Sequence, residues 1–289
     1  MNLETTNCLL CGGPQKKTLF LAENTHGDIP LSQERFPWVK CLDCGLFYLN
    51  PRPNQKSIWQ YYSKNYYDPK VKVPQNFLEA YRWFYNQARL RLVIKFAPLT
   101  KKLLDLGSGE GVFVKVAKQA GLEALGIDPY QSRKNLKDYR FKDEAFDAVT
   151  LWHVLEHLHQ PQKELSEIKR ILKKEGQLFL SLPNFSSFGF RFGKVSWFHL
   201  DTPRHLAGYR QKVVTRLLQD CGFKVLKIYF PALEDPFDLL KTINRKIFKQ
   251  NYYLRVLFFL PIFSISLIFK TVSPLFRASE TIQVVAEKK

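Results

Sequence analysis

Apolar and polar positions alternate along the chain in a repeating order. Residues 102–111, KLLDLGSGEG, begin as a short apolar run that closes on glycines, and the residues up to 120 then carry helical spacing. EALGID and FDAVTLW are two further short apolar runs, a helical pattern covers 162–173, and GQLFLSLP follows it. Later come the helical stretch YRQKVVTRLLQDCGF, the strand-like KVLKIYF and finally ETIQVVAEK, where apolar and polar residues alternate with period two. Strands separated by helical patterns predict βαβ units, and hence a doubly wound α/β fold with a parallel sheet covered on both faces. Upstream, 77–96 reads as one helix. It is preceded by LFYLNPRPNQKSIWQYYSKNYYDP, whose tyrosines either line a lid or pack a connector.

One segment breaks this order. Residues 240–277 hold seven cations (Lys241, Arg245, Lys246, Lys249, Arg255, Lys270 and Arg277) and no Asp or Glu. Inside them VLFFLPIFSISLIF runs for 14 residues, interrupted by Pro261 and short of the roughly 20 that span a bilayer. An apolar run between cations fits an interfacial element on an anionic membrane surface. A helical pair buried against the sheet fits it equally.

Composition adds a second hint of an anionic partner. Lys and Arg number 44 against 26 Asp and Glu, a net charge of +18, which favours phosphate, nucleic acid or a lipid surface without choosing among them. The opening MNLETTNCLLCGGP lacks a basic stretch leading into an apolar one, so the expectation is a cytoplasmic protein, peripheral at the inner face of the membrane if residues 240–277 dock there.

Four of the five cysteines form Cys8-x-x-Cys11 and Cys41-x-x-Cys44, with 29 residues between the pairs and a glycine after each. In a reducing compartment such pairs read as metal ligands, and four sulfurs make a closed, structural zinc site. Cys221 reads as a small core residue. The residues between the pairs mix both signs of charge and show no base-stacking pattern, so a nucleic-acid partner is not expected.

Gly107-x-Gly109-x-Gly111 lies between a strand and a helix, with Asp105 just before it. Glycines there let backbone approach a ligand, and the spacing differs from the G-x-G-x-x-G of dinucleotide sites, which disfavours a nicotinamide oxidoreductase. Asp128 closes the next strand, 17 residues after Gly111, where a carboxylate can accept both hydroxyls of a ribose. After the third strand stands His153-x-x-Glu156-His157, a spacing shared with inverted zinc metalloproteases. A protease site needs both histidines on one continuous helix and a further acidic ligand. Here the motif follows FDAVTLW directly, which places Trp152 and His153 at the strand's carboxyl edge beside the glycine loop.

LLDLGSGEG, GIDP, FDAVTLWHVLEHLHQP, LKKEGQLFLSLPN and DTPRHLAGY together resemble the class I S-adenosylmethionine-dependent methyltransferases, over about residues 8–230 and the last strand. With its cysteine pairs, CGLFYLNPRP and YYSKNYY, the chain is similar to the bacterial subgroup with an N-terminal zinc ribbon, which includes sugar methyltransferases and many members of surface-polysaccharide pathways. The resemblance implies a Rossmann-like core that holds S-adenosylmethionine through Asp105, Gly107, Ser108, Gly109, Gly111, Asp128, Pro129 and Trp152. It implies methyl transfer to a small-molecule, sugar or lipid-linked acceptor, with LEHL packing the turn after FDAVTLW.

Methyl transfer to a hydroxyl needs a base, and His153, His199 and His205 are the candidates, each of which could instead anchor its loop. Tyr61, Tyr62, Tyr66 and Tyr67 are candidates to line the acceptor. One departure stands out. Between GIDP and FDAV the family usually carries a helix, a strand and an adenine-reading acid, whereas only 16 residues stand here, with Asp138 or Asp143 left for that role. A noncatalytic binding or membrane-recruitment protein on a decayed methyltransferase fold is therefore the alternative. The expected organisation is a zinc ribbon over 1–50, a Tyr-rich connector and helix over 51–100, a methyltransferase core over 101–239, a basic apolar insertion over 240–279 and the last core strand over 280–289.

Overall fold

The computed structural model describes residues 2–26, 29–62, 75–232, 234–235, 237–248 and 251–289. From the N-terminus run β1 (Lys16–His26), β2 (Ile29–Cys41), β3 (Phe47–Leu49), α1 (Gln75–Phe96), β4 (Lys102–Leu106), α2 (Val112–Gln119), β5 (Glu123–Ile127) and β6 (Phe146–Trp152). Then follow α3 (Pro161–Ile171), β7 (Leu172–Pro183), β8 (Ala207–Gly208), α4 (Gln211–Asp220), β9 (Phe223–Tyr229), α5 (Asp238–Ile247), α6 (Tyr252–Leu257), α7 (Phe259–Val272) and β10 (Thr281–Lys288).

The main sheet has the order β9-β10-β7-β6-β4-β5. β4, β5, β6 and β7 are parallel. β10, however, is antiparallel to both its neighbours, so the sheet is mixed where alternation alone predicts a parallel one. The period-two pattern decides which side chain faces which layer. Leu104, Leu106, Val149 and Leu151 share one buried cluster with Leu165 and Ile168 of α3 and Leu217 and Leu218 of α4. Leu103, Ala148 and Phe179 share the opposite cluster with Val93 of α1 and Val116 of α2. Each such leucine contributes about 1.5–3 kcal/mol by leaving water.

The shortened unit is visible in the topology. After β5 the chain makes only the short helix Pro129–Ser132 and the turn Leu136–Tyr139 before entering β6. The sheet therefore ends on β5, whose Leu125 is exposed.

β1, β2 and β3 form an antiparallel sheet that takes its fourth strand, β8, from far along the chain. Trp38 is fully buried and donates from Nε1 to Thr202 Oγ1 at 2.9 Å. Phe36, Trp38, Phe47 and Leu49 share a core with Phe185, Trp197, Leu200 and Leu206. The N-terminal strands and the 184–209 loop thus bury one another.

Pro261 does not break the apolar run. α7 starts at Phe259, which puts the proline in the first turn, where its missing N–H has no partner to lose. With the following turn Ser273–Phe276 it forms an 18-residue helical stretch of mean hydropathy 1.7, longer than the sequence run and only 22% buried.

Candidate active site and metal centre

The carboxyl edge of β4, β5 and β6 carries the candidate site. Gly107, Gly109 and Gly111 all have left-handed backbones, with φ of 79°, 51° and 74°, a region that favours glycine. A Cβ on Gly107 would come within 2.3 Å of Val154. The Gly107 and Ser108 N–H groups donate to Ile127 O at 2.7 and 3.1 Å, and Gly109 N–H donates to Asp128 Oδ2 at 2.9 Å. Asp128 Oδ1 accepts from the N–H groups of Tyr130 and Gln131, capping the short helix that Pro129 begins. Loop and acid are therefore one unit. Asp105 is buried, accepts from Thr150 Oγ1 at 2.6 Å, and has its carboxyl pushed up to about 7, mainly by burial.

Trp152 packs edge-on against Phe113 at 5.4 Å, and the Arg89 guanidinium lies 4.7 Å over its ring. Its buried Nε1–H has no partner among the described residues, the kind of orphaned donor that a ligand satisfies. Arg82 pairs with Glu110 at 2.7 Å and so draws α1 over the glycine loop. The residues assigned to cofactor binding are thus brought together at one edge.

His153 sits at the end of β6 with φ of 60°, a costly conformation for a residue with a Cβ. Its N–H donates to Ser181 O at 2.8 Å. Nε2 lies 3.0 Å from Glu234 and Nδ1 3.4 Å from Glu156. Burial opposes the imidazolium, but the Glu234 and Glu156 carboxylates outweigh it and raise His153 to about 9. Glu234 is buried and also takes Tyr85 Oη–H, Ser181 Oγ–H and Arg89 as partners. Burial disfavours its charge, yet His153 and Arg89 hold it well below the usual carboxylate range. Sequence reading missed Glu234, Arg89 and Tyr85. No local motif marks them, since Glu234 lies 81 residues from His153.

His199 stacks on His153 at 6.2 Å between ring centroids. Its Nε2 lies 3.2 Å from Asp238 Oδ2, and Asp238 in turn holds Lys270 at 2.5 Å. His205 belongs to a deeper layer. It bonds His199 O through Nδ1 at 2.8 Å, and burial together with His157 pushes it down to about 3. The same loop is locked by the fully buried Arg204, which donates to Asp201 at 2.8 and 3.0 Å and to Tyr61 O at 2.8 Å.

The His-x-x-Glu-His stretch does not form a helix that carries both histidines. His153 precedes the turn Leu155–His157. Glu156 is buried between His153 and His205. His157 Nδ1 lies 3.0 Å from Arg204 O and 3.1 Å from Tyr62 Oη. The stretch packs the turn rather than building a protease centre. Tyr62 also packs at a tilt against Tyr130, 4.7 Å between ring centroids, beside Asp128, whereas Tyr61 is core, edge-on to Phe36. Tyr66 and Tyr67 lie outside the described residues. Of the two adenine candidates, Asp138 caps its own turn at Asn135 N and Asp143 pairs with Arg170.

At the N-terminus, Cys8, Cys11, Cys41 and Cys44 bring four sulfurs within 4.8 Å of one another. Cys8 to Cys44 is 3.4 Å and Cys11 to Cys41 is 3.6 Å, near the ~3.8 Å edge of a tetrahedron with 2.3 Å zinc–sulfur bonds. Gly12 and Gly45, with φ of 71° and 78°, make the two turns behind them. Burial pushes the Cys44 thiol up to about 11. The donor set fits zinc.

Comparison with known proteins places this geometry. The sequence profile of a methyltransferase domain matches residues 77–228. The chain is 28% identical over 165 residues to an uncharacterised protein of Methanocaldococcus jannaschii, covering 52% of this chain and 75% of that one. It is 28% identical over 160 residues to a ubiquinone biosynthesis O-methyltransferase of Haemophilus ducreyi, covering 47% and 66%. It thus spans about two thirds to three quarters of these relatives. Among solved structures, phosphoethanolamine N-methyltransferase 2 of Haemonchus contortus with S-adenosylmethionine superposes with a TM-score of 0.50 at 16% identity, covering 88% of this chain and 64% of that one. The [4+2]-cyclase SpnF does so with 0.50 at 16%, covering 82% and 98%. These two show the fold alone.

Proposed function

Because the chain belongs to the methyltransferase-domain family, we propose that it transfers a methyl group from S-adenosylmethionine to the hydroxyl oxygen of a small-molecule, sugar or lipid-linked acceptor, with His199 as base. Relatives named as O-methyltransferases support the oxygen acceptor. The observation that carries the reading is the joining, at one sheet edge, of a left-handed glycine loop bonded to Asp128 with a carboxylate-held histidine pair.

The bound cofactor supplies a methyl group already activated on a sulfonium. The chain's own work is alignment, exclusion of water and acceptance of a proton. Gly107 to Gly111 would cradle the cofactor with backbone, Asp128 would hold the ribose, and Trp152, with Arg89 over its ring, would line the same sheet edge beside the loop. Tyr130 and Tyr62 offer a pair of tilted rings, 4.7 Å between centroids, where the missing strand would have carried an adenine-reading acid. His153 has both nitrogens held by carboxylates and stays charged at neutral pH, so it fixes the shape of the site. His199 is bonded through Nε2 to Asp238, which leaves Nδ1 to take the acceptor's proton. Cys8, Cys11, Cys41 and Cys44 would hold one structural zinc.

Calorimetry with S-adenosylmethionine, S-adenosylhomocysteine and NAD tests the reading. Binding of the first two and not the third is expected. The sheet's early end at β5 favours a second reading, a binding protein that has lost catalysis. That reading requires no binding of either sulfur compound, or binding without turnover on any hydroxyl acceptor.

A further inference from the structure

We propose that α7 and the turn after it form a docking surface that lies flat on an anionic lipid bilayer, and that the acceptor is presented from that bilayer. The second half rests on the methyl-transfer reading above.

The helix is apolar on the side that faces away from the protein. Leu260, Ile268 and Leu275 are 71%, 63% and 80% exposed, and Leu257, Ile265, Phe269 and Phe276 are exposed beside them. A patch of this kind is far beyond what scattered surface residues require. Only Ile262, Ser266 and Lys270 of α7 are buried, a stripe at fourfold spacing that seats the helix on the domain. Lys270 is the one charged residue between 256 and 276. It points inward, to Asp238 Oδ1 and Asp235 O, each at 2.5 Å. The outward face therefore carries no formal charge.

The rim supplies the electrostatic half. Among the described residues of 236–279 the single acid is Asp238, which is fully buried. The neighbouring segment 184–200 has no acid at all. It packs on the same helices, Phe188 against Phe269 at 5.6 Å and Phe198 N–H onto Thr242. Arg191, Lys194, Lys246 and Arg277 are exposed along this rim. An uncharged apolar face ringed by cations, on a chain of net charge +18, matches an anionic interface and repels a second copy of itself.

The length of the apolar stretch would suffice to cross a membrane, but its anchoring forbids it. The inward stripe and the Lys270 ion pair hold the helix along its whole length to a domain that the chain leaves by α5 and re-enters by β10. The docking helix is also joined to the base by two successive contacts, Lys270 to Asp238 and Asp238 to His199. An acceptor with a membrane-embedded tail would thus present its head at the site.

The test is co-sedimentation of the full chain with vesicles of pure phosphatidylcholine and of phosphatidylcholine mixed with anionic phosphatidylglycerol, at low and high salt. Wild type should pellet with the anionic vesicles at low salt, at least tenfold more than with the neutral ones, and high salt should weaken this. Leu260→Glu with Ile268→Glu should abolish pelleting while leaving the melting temperature and S-adenosylmethionine affinity unchanged. Wild type remaining in the supernatant, equal pelleting with both vesicles, or a dimer by ultracentrifugation that the double variant dissolves would each overturn the proposal. Cofactor calorimetry in the absence of vesicles separates that failure from failure of the methyl-transfer reading.

Discussion

His153 and Asp105 are titrating groups that the fold moves in the same direction, and both therefore make stability fall as pH rises. Asp105 is raised from its ordinary 3.8 to about 7, so the folded chain keeps a proton that the unfolded chain has released, and that advantage is lost as pH climbs through 7. His153 is raised from 6.5 to about 9, so its contribution is complete below 6.5 and gone above 9. Thermal unfolding from pH 6 to 10 should show a decline, and His153→Gln should flatten its upper part; an unchanged profile in that variant would remove His153 from this role. His199→Gln should lower kcat about 10²–10⁴-fold with little change in cofactor affinity, read by single-turnover kinetics. Asp128→Ala should weaken S-adenosylmethionine binding by roughly 1.5–3 kcal/mol for each hydrogen bond lost to the carboxylate, read by calorimetry.

At the scale of elements, the N-terminal sheet and the loop bearing His199 are coupled because β8 completes that sheet and Trp38 bonds Thr202. Chelation of the zinc proposed at the four cysteines, or Cys8→Ser, should therefore lower the melting temperature and turnover before it lowers cofactor affinity, since the glycine loop and Asp128 lie on the other sheet. Loss of affinity in parallel with stability would contradict this order. Arg204→Ala strips a buried carboxylate, Asp201, of its bidentate partner and should cost about 3–5 kcal/mol in chemical denaturation. The elements themselves were largely legible. The 77–96 helical pattern falls within α1, GQLFLSLP lies inside β7, and ETIQVVAEK became β10, though its burial does not alternate because the strand is covered on both faces. The direction of β10 and the unbroken course of α7 past Pro261 were not, because strand polarity depends on connectivity in space and a proline's cost depends on where the helix begins.

For the molecule as a whole, cofactor binding at 100 times its dissociation constant should add about 2.7 kcal/mol of stability and raise the melting temperature by a few degrees. NAD should leave it unchanged. The sequence by itself determined what short-range pattern encodes: the strand and helix order, the glycine loop with Asp105 and Asp128, and the two cysteine pairs, each of which needs only neighbours a few residues apart or a fixed strand end. Tertiary structure alone decided what partners those residues receive. Glu234 reaches His153 across 81 residues, Asp238 reaches His199 across 39, and Thr202 reaches Trp38 across 164. It alone decided that the apolar run lies on the outside, whereas the end of the sheet at β5 was already legible in the 16 residues between GIDP and FDAV. Apolarity reads the same whether a helix faces a core or a bilayer, and only the inward turn of Lys270, with Ile262 and Ser266, fixes which face is left uncovered.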